Sequence, residues 1–328
     1  MRNQVRQYLA GVRDAVLLKA TAGRSLTVFP DDRYVVSYPK SGNTWVRFLV
    51  ANLLYAESPT TFQNVDLRIP EVYNYSDREL RAFPRPRTVK THEPFDFRYP
   101  KVIYIVRDPR DVAVSKYHWI RKWRGIPDGY PIEDFVARWM AAEFDQLLRA
   151  GSWADNVLSW LALRSGSSDF LLVRYEDLLQ STRDELGRMA TFLGIEPRRE
   201  TLARAIEMSS ADRMRALEKQ ESSEWRDTRP TRQDIPFVRK AAAGDWRAAC
   251  PPAAVLRIEA AWWPLMRLLD YEVTSFPAGS PPSPRVHRGV CESLADAVSA
   301  QLAASRSRAS TNIHSVGSAK PVGAFEAG

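Results

Sequence analysis

Three short runs of β-branched and aromatic residues stand out along the chain. They are Tyr34-Val35-Val36, Thr88-Val89-Lys90-Thr91-His92 and Lys101-Val102-Ile103-Tyr104-Ile105-Val106. Runs of this length and type read as strands. The third is continuously apolar, as a parallel strand buried on both faces should be. A further strand and turn falls on Asp169 to Leu178. Elsewhere the period is helical. Trp45 to Leu54, Ile132 to Leu148, Trp153 to Leu163 and Ala253 to Leu269 repeat apolar residues at helical spacing. Another helix opens at Val112, with Asp108 as its cap and Pro109 in its first turn. Ser181-Thr182 open one that runs to Leu193 and ends at Gly194. Trp153, Val157 and Trp160 share a face and belong to the core, and Trp262 and Trp263 are expected to be buried as well. Strands alternating with helices predict an α/β fold, a parallel sheet flanked by helices in three layers.

The pattern also divides the chain. Residues 1–33 read as an N-terminal helix and lead-in, 34–274 as the main domain, and 275–328 as a disordered tail with a short helix at Val290–Ala304. Val5, Leu9, Val12, Val16 and Leu17 give residues 1–20 one apolar face, which suits packing on the body, with membrane-surface contact as the alternative. No apolar run reaches about 18 residues, so no spanning helix is expected. Cys250 and Cys291 make no disulfide framework and read as free thiols in a reducing, cytoplasmic setting. Segments 57–87, 93–100 and 120–132 are expected to wall a substrate pocket, and they carry Phe62, Tyr73, Tyr75, Phe83, Phe95, Phe97 and Trp123.

Charge adds a direction. The chain of 328 residues carries a net charge of +8, with nine Lys against 38 Arg. An excess of this sign favours anionic partners. Zinc-finger spacing and RNA-binding aromatic signatures are both missing, so nucleic acid is not the expected partner. The Ala and Arg bias points to a GC-rich, bacterial source.

The chemistry gathers where strands end. Ser37-Tyr38-Pro39-Lys40-Ser41-Gly42-Asn43-Thr44-Trp45 joins the first strand to a helix. Such a turn aims the N–H groups of residues 41–45 and the positive helix end at one point, which suits phosphate or sulfate. Gly42 lets the backbone curl, Lys40 adds a mobile charge, and Asn43 and Thr44 offer side-chain donors. The stretch departs from G-x-x-x-x-G-K-[ST] but keeps its mechanics. His92 ends the second strand, and an imidazole there suits a general base. Arg107 and Ser115 lie eight residues apart, and converge on one anion only if the chain turns back. Arg239-Lys240 makes an anion clamp.

These stretches carry a resemblance. Pro39 to Trp45 resembles the P-K-S-G-T-T-W loop of cytosolic-type sulfotransferases, which use 3′-phosphoadenosine 5′-phosphosulfate (PAPS). Arg107, Asp108, Arg110, Asp111 and Ser115 resemble R-[ND]-x-[KR]-D-x-x-x-S. Arg239 to Arg247 resembles R-K-G-x-x-G-D-W-[KR], and Lys90-Thr91-His92 and Tyr175-Glu176-Asp177-Leu178 also look like the family's segments. The likeness covers about residues 34–270. It implies a sulfotransferase fold related to nucleotide-triphosphatase folds, and transfer of a sulfuryl group from PAPS to an acceptor hydroxyl or amine. On it, Lys40, Ser41, Gly42, Asn43, Thr44 and Trp45 hold the phosphosulfate end. Arg107, Ser115, Arg239 and Lys240 hold the 3′-phosphate, and Tyr175, Ser209 and Ser210 sit near the adenine. His92 is the implied base, with Lys90 beside the transferring group and Ser115 restraining Lys40. Asn43, Ala211 and Ala241 depart from the family's threonine, aromatic and glycine, and the dimer motif expected after Arg247 is missing, which leaves the oligomeric state open. No metal is required. A small molecule, a lipid or a glycan all remain open as acceptor. The other readings are a nucleotide-dependent kinase of related fold, and a non-catalytic protein that binds a bisphosphate or nucleic acid.

Overall fold

The computed structural model describes residues 21–144, 150–275 and 295–303. The helix expected over 1–20 and most of the expected tail lie outside the described residues. β1 (Arg33–Ser37), β2 (Thr88–Thr91), β3 (Val102–Val106) and β4 (Phe170–Arg174) form one sheet in the order β2-β1-β3-β4. Every pairing is parallel, with Val36 opposite Thr91 on one side and Tyr104 on the other. Side chains alternate across a strand. Tyr34, Val36, Val102, Tyr104, Val106 and Leu172 therefore enter one core, and Val35, Ile103, Ile105 and Val173 the other. The first core is closed by helices Ile132–Met140, Trp153–Arg164 and Pro252–Leu268, the second by Asn43–Leu54, Thr182–Phe192 and Arg199–Met208. These are the three expected layers.

Trp153, Val157 and Trp160 are fully buried. Trp262 and Trp263 are only half-buried, contrary to expectation. Their helix packs through Ala254, Ile258 and Met266, which leaves its flank for Trp262 to lie between Trp139 at 5.3 Å and Trp153 at 5.5 Å. Trp263 instead receives the Arg267 guanidinium at 5.5 Å. The helix from Ile132 stops at Met140, short of the expected Leu148, and Ala142 at φ 58 turns the chain away. Within 57–87 the chain forms two short helices, Val65–Arg68 and Asp77–Arg81. The second is opened by a capping box in which Ser76 N–H donates to Glu79 at 2.7 Å and Glu79 N–H donates to Ser76 at 3.3 Å. Phe62 is not a pocket wall but core, packed between Phe48 and Trp225.

Each outer strand has its free edge covered. Alongside β2, Lys90 N–H donates to Pro70 O at 2.8 Å and Val72 N–H donates to Lys90 O at 3.1 Å. Alongside β4, Gln301 accepts from Leu172 N–H at 2.9 Å and donates to Phe170 O at 3.2 Å. One side-chain amide thus takes the place of a strand's backbone. Gln301 lies on a helix over 295–303, anchored by buried Val298 and Leu302, where the sequence placed a short helix inside the tail.

Candidate active site

Because the four strands are parallel, their C-terminal ends share one edge of the sheet, the edge where ligands bind in such folds. Each of them leads into a stretch singled out above: the 37–45 loop, His92, Arg107 and Tyr175.

In the loop, Lys40 holds φ 72 and Gly42 φ 98. Glycine is required at 42 for a second reason, which the sequence did not disclose. A Cβ there would stand 2.5 Å from Cδ2 of Tyr175. Ser41 N–H is used by Tyr38 O at 3.3 Å, so the N–H groups without an intrahelical partner begin after it. Ser41 Oγ is buried with no hydrogen-bond partner, and so is Arg107 Nε. Asn43 does not present its amide outward. Its Nδ2 donates back to Ser37 Oγ at 3.1 Å and Val35 O at 3.3 Å, bracing the loop on β1. Thr44 is half-buried in the first helical turn. Trp45 donates its indole N–H to Ser209 O at 3.0 Å and stands edge-on to Tyr175, with centroids 5.8 Å apart.

Arg107 ties three elements together. It donates to Lys40 O at 3.4 Å and to Ala242 O at 3.0 Å, and its guanidinium lies 4.3 Å from the Tyr175 ring centre. Four residues on, Asp111 accepts Gly244 N–H at 2.7 Å and Trp246 N–H at 2.9 Å. The segment carrying Arg239 and Lys240 is thereby held on helix Pro109–Lys122, on the face that spacing gives Asp111 and Ser115. Arg107 itself folds back over the start of that helix, 3.7 Å from Asp111. Arg239 pairs with Asp245 at 2.6 Å, and Lys240 pairs with the same carboxylate. Ala241, standing where the resembled motif has glycine, holds φ 52. The hydroxyls expected near the adenine serve local structure. Ser209 Oγ accepts from Asn52 at 3.0 Å, and Ser210 caps helix Ala211–Glu221 by accepting Arg213 N–H at 3.3 Å.

Lys40 lies beneath two rings, 4.2 Å from the Trp119 centre and 4.8 Å from that of Phe237. Burial, then the charges of Lys116, Lys90 and Arg107, pull its pKa down to about 7. Cations crowded out of water in this way gain from an anion between them. His92 is 7% exposed, with Nδ1 2.7 Å from Ser37 O. That carbonyl can only accept, which assigns the proton to Nδ1 and leaves the lone pair on Nε2. Burial, followed by Lys90, holds its pKa well below the ordinary imidazole value, so the ring is neutral at pH 7. Tyr73 lies parallel to it at 6.3 Å and accepts His92 N–H at 3.2 Å, while Asn156 donates to His92 O at 3.0 Å. Lys90 is buried and paired with Glu71.

Glu71, Asp227, Trp119, Phe237 and Asn156 reach this edge without a motif to announce them. Only Asp111 had a signal, as a fixed position of the Arg107 pattern. Asp227 is half-buried, 3.4 Å from the Asn74 amide, and burial together with Glu71 and Asp66 pushes its pKa up to about 6.

The chain matches the family model described as sulfotransferase domain over residues 30–269. Sulfotransferase 1E1 of Rattus norvegicus is 31% identical over 246 residues, 70% of this chain and 81% of that protein. The crystal structure of mouse sulfotransferase SULT7A1 complexed with PAP is similar with a TM-score of 0.59 and 25% identity, covering 75% of this chain and 87% of that one. Retinol dehydratase in a complex with retinol and PAP shares the fold, with a TM-score of 0.64 at 22% identity over 82% of this chain and 88% of that one. A rat and a mouse relative lend no support to the bacterial source expected from composition. A four-stranded parallel sheet between helices, with a phosphate-loop-like turn at its edge and a family match that spans it, places this chain in the sulfotransferase family, the PAPS-dependent enzymes that move a sulfuryl group to an acceptor.

Proposed function

We propose that His92 is the general base and Lys40 the cation that stabilises the leaving phosphate, in sulfuryl transfer to a hydroxyl or amine on a small molecule. The observation that carries this reading is the neutral His92 ring, its Nδ1 tied to Ser37 O at 2.7 Å, directly after the strand that pairs with β1 beside the loop of Lys40. When bound, the donor supplies an electrophilic sulfuryl group on a 5′-phosphate. The chain does the rest by position and charge. Lys40 and the N–H groups opening helix Asn43–Leu54 neutralise charge on the phosphate side. His92 Nε2 receives the acceptor proton. Arg107, Ser115, Arg239 and Lys240 hold the 3′-phosphate. For Arg239 and Lys240 this means exchanging Asp245 for a second anion. Lys90 sits beside the transferring group as a cation already paired with Glu71. Trp45 and Tyr175 supply the aromatic faces for the base, since Ala211 has none. Buried Ser41 Oγ and Arg107 Nε, both without partners, suit the phosphosulfate end and the 3′-phosphate respectively. The retinol bound to the dehydratase supports a small-molecule acceptor.

Calorimetric titration with adenosine 3′,5′-bisphosphate (PAP), set against 5′-AMP and ADP, tests the donor half. The expected result is tight binding that needs the 3′-phosphate and weakens at least tenfold in Arg107→Ala, as loss of a charge-assisted contact predicts. Equal affinity for all three nucleotides would overturn it. Phosphoryl transfer from ATP with Mg²⁺ would favour the kinase reading, and salt-sensitive RNA binding without turnover the binding-protein reading.

A further inference from the structure

The segment beside β2 turns an acidic side toward the proposed base. Glu71 and Lys90 form a single parallel bridge, and the chain then turns, with Asn74 N–H donating to Glu71 O at 3.0 Å. Glu71 pairs with Lys90, and Tyr73 takes the N–H of His92. Asn74 then reaches across to Asp227 at 3.4 Å, and Arg226 donates to Asn74 O. Two ion pairs lie in this region. Arg47 meets Asp66 at 2.6 Å and Lys90 meets Glu71. Each pair cancels. Asp227 is the remainder, a half-buried carboxylate whose hydrogen-bond partner among the described residues is one neutral amide. Through Asn74 it stands at the turn whose Tyr73 touches His92, and its charge is felt at Lys40, Lys90 and Arg47.

A neutral, apolar acceptor would strip water from this carboxylate and return nothing. An ammonium group would return a charge-assisted hydrogen bond. We propose that Asp227, with Glu71 behind it, makes this enzyme select hydroxyl acceptors that also carry a protonated amine. The proposal rests on the reading of His92 as the base, since that reading puts the acceptor beside this strip. It goes further by fixing the acceptor's charge.

The experiment compares tyramine with 4-ethylphenol, which has the same shape without the amine. Binding of each to the full chain saturated with PAP is measured by calorimetry at pH 8, where Asp227 is ionised. Tyramine is expected to bind at least tenfold more tightly, and Asp227→Asn to bring the two ligands within about twofold, as loss of a charged partner predicts. Glu71→Gln is expected to narrow the gap in the same direction, and melting curves confirm that both variants fold. Equal or tighter binding of 4-ethylphenol, or binding of neither, overturns the proposal. So does a loss of PAP affinity in Asp227→Asn as large as the loss for tyramine, which would make Asp227 a counterion of Lys40. Failure of the base reading looks different. Sulfuryl transfer would then survive His92→Ala while the amine preference in binding stayed as it was.

Discussion

The donor loop and the strip beside β2 lie at the same sheet edge and are built with opposite charge. Around the loop, Lys40, Arg107 and Lys116 crowd together, and the nearest aromatic faces belong to Trp119, Phe237 and Tyr175. Beside β2, three carboxylates (Asp66, Glu71 and Asp227) meet two buried cations, with exposed Arg226 on Asn74 O at the rim. Both regions take charge out of water, and so both have unfinished electrostatics. The donor side wants an anion and the acceptor side a cation. Their sequence origin differs as well. The donor side is made by residues that directly follow strand ends. The acceptor side is made by segments about 150 residues apart, Glu71 to Asn74 and Asp227.

The sharpest way to break this contrast is Lys40→Ala. Removing the cation at the centre of the donor side should lower turnover about 10³-fold, in the range seen when one charge-stabilising group is lost. Cooperative melting should persist, and steady-state rates with saturating PAPS check it. Turnover within a few-fold of the parent would mean that the loop's charge does not act on the reaction.

Gly42→Ala tests whether the loop is held by its own conformation. It places a Cβ 2.5 Å from the Tyr175 ring at φ 98. A cost of about 2–3 kcal/mol is expected, from strain of this kind and displacement of the ring, read as a lowered midpoint in urea together with weaker PAP binding. An unchanged midpoint would show that Tyr175 is not packed on the loop.

Titration sharpens the contrast. The Lys40 pKa is pulled down to about 7 in the free protein. An anion beside it favours the charged form and raises that pKa. PAP binding at pH 8 should therefore take up a proton. Affinity should be level below pH 7 and fall as pH rises above it, by at most about tenfold per unit for one proton. Calorimetry in buffers of different ionisation enthalpy measures the uptake. His92 adds nothing in this window, because burial and Lys90 keep its pKa well below 6.5. Proton release at pH 8 would contradict the cation-crowding account.

The smallest effect is at Ala241. Glycine adopts φ 52 without the strain an alanine carries there, so Ala241→Gly should stabilise by about 0.5–1 kcal/mol and leave Arg239 and Lys240 in place. Thermal melting checks it, and a destabilised variant would mean that the methyl group is itself packed.

Much of the donor side could be read directly. Strand composition located β1 to β3 to within a residue or two, because β-branched runs followed by polar residues have few other uses, whereas the run from Asp169 to Leu178 is strand only to Arg174 and helix from Tyr175. Asp108 caps the next helix as expected, its Oδ1 accepting Arg110 N–H at 2.9 Å. The capping box at Ser76 and Glu79 is equally local, a serine followed three residues on by a glutamate. Ser209 and Ser210 look like nucleotide ligands in a motif, yet one braces Asn52 and the other caps a helix, and no pattern separates those uses.

Sequence by itself determined the strands, the parallel α/β class, the loop and its cations, and the family they resemble. Those features depend on neighbours in the chain, where local propensity and spacing act. Only the tertiary structure decided that Tyr175 lies over Gly42, that Gln301 completes the edge of β4, and that Asp227 meets Asn74. Each of these joins residues more than a hundred positions apart, and what brings them together is burial of two apolar cores on opposite faces of one sheet. That force is blind to sequence order, so its local consequences for charge are fixed only once the chain has folded.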